Sequence, residues 1–313
     1  MPKVVAQRLS LILFTVLMAS VAVFVLMRVS GDPLTGFLPP GSDPASTEAL
    51  RRELGLDRPL PSQLLNHIGR TLSGDFGDSW RGRQPALDLV LARLPATLLL
   101  TATSLAAAIV VGGALGFAAA RLERRWPATV LNAVSLTGQA IPAFWLGTLL
   151  IIVFAVQLRV LPASGGDGWR SIILPAAALA AYPTSLVARL LSAELVTVRR
   201  QPYAATAAAK GLPERTVWMR HLLPNAVLPA LAYLGVQTGF LIGGAVVVEQ
   251  VFAYPGIGRL ALQAVADRDI PVVHAFIVVV AILVGVIGSM VDVIAVAIDP
   301  RLHDRSARAS YGD

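Results

Sequence analysis

The sequence predicts an all-α polytopic membrane protein with six transmembrane helices, a small helical extracytoplasmic cap and a helical cytoplasmic loop. Three observations carry this expectation. Hydrophobic residues make up 55% of the 313 residues and charged residues only 14%, well under the roughly 25% usual in soluble domains. Mean hydropathy is +0.68. The apolar residues gather into six long runs, and about 20 such residues are what a helix needs to cross the hydrocarbon core, where nothing else satisfies backbone N–H and C=O groups.

The first run, Leu9 to Val29, follows Lys3 and Arg8. A secretory signal also begins with cations, but this apolar core is too long for one and no small-residue cleavage site follows, so residues 1–29 are expected to be an uncleaved anchor. Residues 30–95 are expected outside the membrane with structure of their own. In "STEALRRELGLDRPLPSQLLNHIGRTL", Ser46 or Thr47 suits an N-cap, Gly55 a helix stop, and a second helix restarts beyond Pro59 and Pro61. Such a segment is either a solvated spacer or a surface for something delivered from outside. The other runs extend from Ala96 to Ala120, Ala128 to Leu158, Ile172 to Leu191, Asn225 to Val248 and Val272 to Ile298, so that 96–298 forms the main transmembrane domain and 299–313 a tail.

Orientation follows from Lys and Arg in the short loops. The loop "RLERRW" (Arg121–Trp126), the insert around Lys210 and the tail with Arg301, Arg305 and Arg308 alternate correctly with Lys3 and Arg8, which places both termini in the cytoplasm. The external segments are then near 30–95, 159–171 and 249–271. The net charge of +7 follows from those loops and requires no nucleic-acid partner. The chain has no cysteine, which excludes disulfides and thiolate chemistry. Its four histidines are dispersed over both sides, so no metal site is expected within it.

One stretch between the runs is polar and basic: "YAATAAAKGLPERTVWMRHLLPN", Tyr203 to Asn225, in a loop of about 199–224. Its alanines, Ala207 among them, favour a helix; Lys210 suits the negative end of the dipole, and Gly211 suits the αL position beyond it. Leu212 follows, and Pro213 fits the first turn of a second helix. That helix puts Val217, Trp218, His221 and Leu222 on one stripe and turns Arg215 and Arg220 elsewhere. Either the pair lies on lipid, or it is a shallow knob that enters a groove on a cytoplasmic partner, its alanines permitting close approach. Within the apolar runs, Thr137, Gln139 and Pro142, and later Gln237, Thr238 and Gly239, either pack helices or line a wet pathway. Arg189 and Asp292 lie nearest span interiors, toward cytoplasmic ends, where snorkelling or pairing accounts for them.

The insert resembles the cytoplasmic loop of permease subunits of bacterial ABC importers, which reads Glu-Ala-Ala, three residues, Gly, nine residues, Ile, one residue, Leu-Pro. Here Gly211, Leu223 and Pro224 match, and Ala207 fills the second alanine; Asn225 follows in "HLLPN". Thr206 replaces the first alanine, His221 the Ile and Ala205 the Glu, which removes that carboxylate from any contact with an ATPase. The peptide-importer branch reads "TARAKGLP" and this chain "TAAAKGLP". The similarity to dipeptide, oligopeptide and nickel importers runs through "LGLDRPLPSQ", "GDFGDS", "RLPATLLLT", "IPAFWLGTLLI", "VEQVFAYPGIGRL", "DRDIPVV" and "DPR", most closely to the first of their two paired permeases.

The resemblance implies a type I ABC importer permease in the bacterial cytoplasmic membrane. It implies a paralogous permease, two cytoplasmic ATPases that grip the coupling loop, and an external substrate-binding protein as partners. The chain has no GxxxxGK[ST] phosphate cradle, so ATP and Mg²⁺ are expected on the ATPases and no cofactor on this chain. Glu249, Pro255, Gly256, Asp267, Arg268 and Asp269 combine a glycine-rich turn with charges at a membrane exit, and together with the resemblance are expected to form part of the docking mouth for the binding protein. Peptides are the favoured cargo, ahead of nickel chelates or glutathione-like solutes. A proton-coupled secondary transporter, the alternative, would want carboxylates near the bilayer midplane, for which Asp292 near one span end is thin support; an intramembrane protease would want a nucleophile and base within spans, and "SGG" at Ser164–Gly166 falls in an external loop.

Overall fold

The computed structural model describes residues 2–29, 57–122, 126–165 and 168–298, together with positions 43, 45, 48 and 52. Ser46, Thr47, Gly55 and the tail 299–313 lie outside the described residues. The helices are α1 (Pro2–Val29), α2 (Leu60–Leu72), α3 (Ala86–Arg121), α4 (Trp126–Ala140), α5 (Ala143–Gln157), α6 (Trp169–Arg199), α7 (Pro202–Ala209), α8 (Glu214–Val251), α9 (Ile257–Ala266) and α10 (Ile270–Ile298). Among the described residues, five helices are long and apolar enough to cross a membrane, and α4 with α5 makes a sixth if that bent pair is one span.

Three expectations need amending. The helix that carries the second apolar run begins at Ala86, ten residues ahead of Ala96, and runs through Pro95, so a boundary at residue 95 falls inside a continuous helix. Asp88 and Arg93 interrupt the apolar pattern there without interrupting helix propensity. The third run is not straight: α4 and α5 meet at 105°, because Pro142 takes an extended ψ of 138° as the N-cap of α5. The second helix of the insert does not stop before the fifth span but continues into it as α8. Its first turns pass through a π turn at Val217–Leu222, which accommodates the hydrogen bond that Pro224 cannot make. Pro213 is the N-cap of α8 rather than its first residue. The helix expected to restart beyond Pro59 and Pro61 is α2, which begins at Leu60 with Pro59 as its N-cap and Pro61 inside its first turn.

The chain divides into two compact units. Residues 1–96 and 255–289 form one. Its apolar core contains Ala86, Val90, Ile257, Ala264, Val272 and Ala275. Beside it, α1 and α2 meet through a hydroxyl pair, Ser20 Oγ and Thr71 Oγ1 at 3.0 Å. The rings of His67 and His274 stack with centroids 4.4 Å apart, and Phe76 meets His274 edge-on. Residues 97–254 and 290–313 form the other unit. There α6 is the central element, with much of its length buried. Gly112 and Gly116, one turn apart on α3, let that helix approach its backbone: a Cβ would stand 2.6 Å from Thr184 O and 2.5 Å from Ala188 O, respectively.

Candidate functional site

The insert closes over the end of α6 in two hydrogen-bonded steps, Arg200 N–H to Thr197 O at 3.2 Å and Gln201 N–H to Val198 O at 3.1 Å. Pro202 then opens α7, a position where its missing N–H costs nothing. Ala204 and Ala207 face inward at 5% and 7% exposure, while Tyr203, Thr206 and Lys210 are exposed. Burial of Ala207 turns its side chain away from the exposed face of the insert, which corrects the expectation that this alanine offers a partner close approach. Lys210 N–H bonds to Thr206 O at 3.1 Å, and Gly211 follows with φ +71°. A Cβ there would meet nothing within 4 Å, so the requirement for glycine is conformational and not steric.

After Gly211, Leu212, Pro213, Glu214 and Arg215 are exposed. Trp218 and Leu222 turn into a core with Ala120, Leu191, Leu195, Val198, Ala204 and Ala226. This is the stripe the spacing predicted, with His221 and Val217 at its edge and Arg215 and Arg220 outside. Asn225 donates its Nδ2 to His221 O at 2.8 Å. Leu223 is half-buried and Pro224 exposed. The result is an exposed rim of Tyr203, Thr206, Lys210 and Leu212 on a stiff base.

At the break between α4 and α5, Thr137 and Pro142 are exposed. Gln139 Nε2 is buried and makes no hydrogen bond to the protein. Gln237 is only 7% exposed. Thr238 returns its hydroxyl to Leu234 O at 2.9 Å, and Gly239 is half-buried.

The expected docking group separates by burial. Pro255, Asp267 and Arg268 are exposed and Gly256 is buried. Asp269 is 3% exposed: Ser79 Oγ donates to its Oδ2, Trp80 N–H to Oδ1 at 3.3 Å and Arg81 N–H to Oδ2 at 3.4 Å. Glu249 is fully buried and accepts from Thr97 Oγ1 at 2.6 Å. Both carboxylates therefore anchor the chain internally, which corrects their expected exposure. Their partners, Ser79 and Thr97, are 190 and 152 residues away, and no local pattern marks such a pair. Burial and the Glu249 charge raise the phenol pKa of neighbouring Tyr254.

Residues 112–304 match the family described as "Binding-protein-dependent transport system inner membrane component". The glutathione transport system permease protein GsiC of Escherichia coli is 40% identical over 300 residues, covering 96% of this chain and 98% of that one. GsiC of Salmonella choleraesuis is 39% identical over the same shares. Among solved structures, two crystal forms of the MetNI methionine ABC transporter resemble the fold with TM-scores of 0.54 and 0.57 at 19% identity, covering 67% of this chain and 96% of the other.

Proposed function

Because the chain belongs to the family of binding-protein-dependent transport system inner membrane components, and is thus the multi-pass permease component of an ABC importer, we propose that it pairs with a paralogous permease to form a pathway for small peptidic solutes. The observation that carries the cargo class is the 40% identity to a glutathione permease along 96% of the chain; di- and oligopeptides belong to the same chemistry. An extracytoplasmic binding protein delivers the solute, with the exposed Pro255, Asp267 and Arg268 as its contact. Two cytoplasmic ATPases bind ATP and Mg²⁺ and hold the rim of Tyr203, Thr206, Lys210 and Leu212. Both termini lie in the cytoplasm. Thr137, Gln139, Pro142, Gln237, Thr238 and Gly239 supply the polar and flexible positions along the pathway; Gln139 Nε2, buried without a hydrogen-bond partner in the protein, is a donor left for water or solute.

Coupling needs a lever whose two positions are biased differently by nucleotide. Continuity of α8 from Glu214 to Val251 supports that role, since a displacement that the Gly211 turn passes to the start of α8 is carried into the fifth span by one helix. The test is uptake by the complex with its partner subunits in vesicles. Uptake is expected to require both ATP and binding protein. Gly211→Val is expected to abolish it because φ +71° suits no β-branched residue, whereas Gly211→Asn, which tolerates αL, is expected to keep most of it. Uptake driven by a proton gradient alone, or wild-type uptake and ATPase retention in Gly211→Val, would overturn this reading.

A further inference from the structure

Among the side chains that pack the loop against its unit, one aromatic ring also meets two cations. Trp218, 4% exposed, stands in the π turn Val217–Leu222, a deformation that recurs at functional positions in helices. Phe117 meets its ring edge-on with centroids 5.4 Å apart. Two guanidiniums lie over the same indole, Arg121 Cζ at 5.8 Å and Arg199 Cζ at 5.5 Å from the centroid. These arginines are the last residues of α3 and α6, where the helix dipole favours a cation. Arg121 Nη2 also donates to Glu214 Oε1, at the start of α8, at 3.3 Å.

A leucine would fill an apolar pocket as well, but it offers nothing to a cation. The negative π face of an indole attracts both guanidiniums and so lets two like charges converge on one point. One side chain of the loop thereby registers the ends of two membrane-spanning helices at once. We propose that Trp218, held by Arg121 and Arg199, is a positioning residue that transmits displacement of the loop to α3 and α6 as well as along α8. This rests on the coupling role proposed above for the loop.

The test compares solute imported per ATP hydrolysed, together with ATPase retention, in the reconstituted complex. Trp218→Leu is expected to retain the ATPases and hydrolyse ATP while import per ATP falls about tenfold, the size expected from two cation–π contacts together. Trp218→Phe, which keeps a π face, is expected to recover most of the loss. The double variant Arg121→Gln with Arg199→Gln leaves the ring and its apolar packing in place and is expected to uncouple similarly. It serves as the deciding variant if Trp218→Leu does not accumulate. Wild-type import per ATP in the double variant, or equal losses in the Leu and Phe variants, would overturn the proposal. Neither result touches the wider coupling role, which fails if uptake runs on a proton gradient alone or if Gly211→Val keeps wild-type uptake and ATPase retention.

Discussion

Asp269 looks like a surface acid in the sequence because Asp267 and Arg268 precede it, and those two are exposed. Its own carboxylate is buried and takes hydrogen bonds from Ser79, Trp80 and Arg81. Asp269→Ala leaves those donors without their acceptor and is expected to cost about 1.5–3 kcal/mol. Asp267→Ala removes only an exposed pair with Arg81 at 3.0 Å and is expected to cost no more than about 1 kcal/mol. Thermal unfolding in detergent checks this, and equal midpoints for the two variants would contradict it. His67 makes a second case. Burial lowers its imidazole pKa below the usual 6.5; a hydrogen bond to the Ser20 backbone opposes the shift, and the nearby Arg70 charge adds to it. With the folded pKa below the unfolded one, the unfolded chain binds more protons between them. The stability is therefore complete above the unfolded value and is lost as pH falls toward and through the folded one. Acidification from about pH 7 to about pH 5 is expected to lower the unfolding midpoint of the wild type more than that of His67→Gln; equal shifts would show that His67 does not contribute.

Among the helices, the approach of α3 to α6 separates small residues that sequence alone treats alike. Gly113 and Gly116 share a helix and a composition, yet a Cβ at Gly113 meets nothing within 4 Å while one at Gly116 stands 2.5 Å from Ala188 O. Gly113→Ala is expected to be neutral or to stabilise by up to about 1 kcal/mol through helix propensity. Gly116→Ala is expected to destabilise by about 1–3 kcal/mol because a backbone carbonyl cannot swing aside. Unfolding midpoints of the two variants in one detergent decide it, and a stabilising Gly116→Ala would show that α3 has room to move. The insert shows the same division. Its helix, αL glycine and second helix were legible from Ala, Lys210, Gly211 and Pro213, since capping and propensity are local. Continuity of the second helix through Pro224 was not, because the π turn that admits this proline is held by burial of Trp218 and Leu222.

For the chain as an assembly of spans, the basic loops predict a fixed orientation. Cysteines placed singly at Ser73, just after α2, and at Met219, in the π turn of α8, are both at exposed positions. In this cysteine-free chain they are expected to react with an impermeant reagent from opposite faces of the membrane. Reaction of both from one face would defeat the proposed topology. The division of the chain into residues 1–96 with 255–289 and residues 97–254 with 290–313 has no counterpart in the sequence: each unit joins stretches distant along the chain, and the division cuts across α3 and α10.

Membrane residence, the number of apolar runs, the basic insert and the resemblance to importer permeases could all be read from the order of residues. The bilayer imposes a length and a hydropathy on each span independently of its neighbours, and helix caps are set within one turn. The 105° break at Pro142, the inward turn of Ala207, the burial of Glu249 and Asp269 and the convergence of Arg121 and Arg199 on Trp218 depended on packing. Proline marks a break in the sequence but not its angle; the burials and the convergence are decided by what the folded neighbours present, often from far along the chain, and not by the residue's own chemistry.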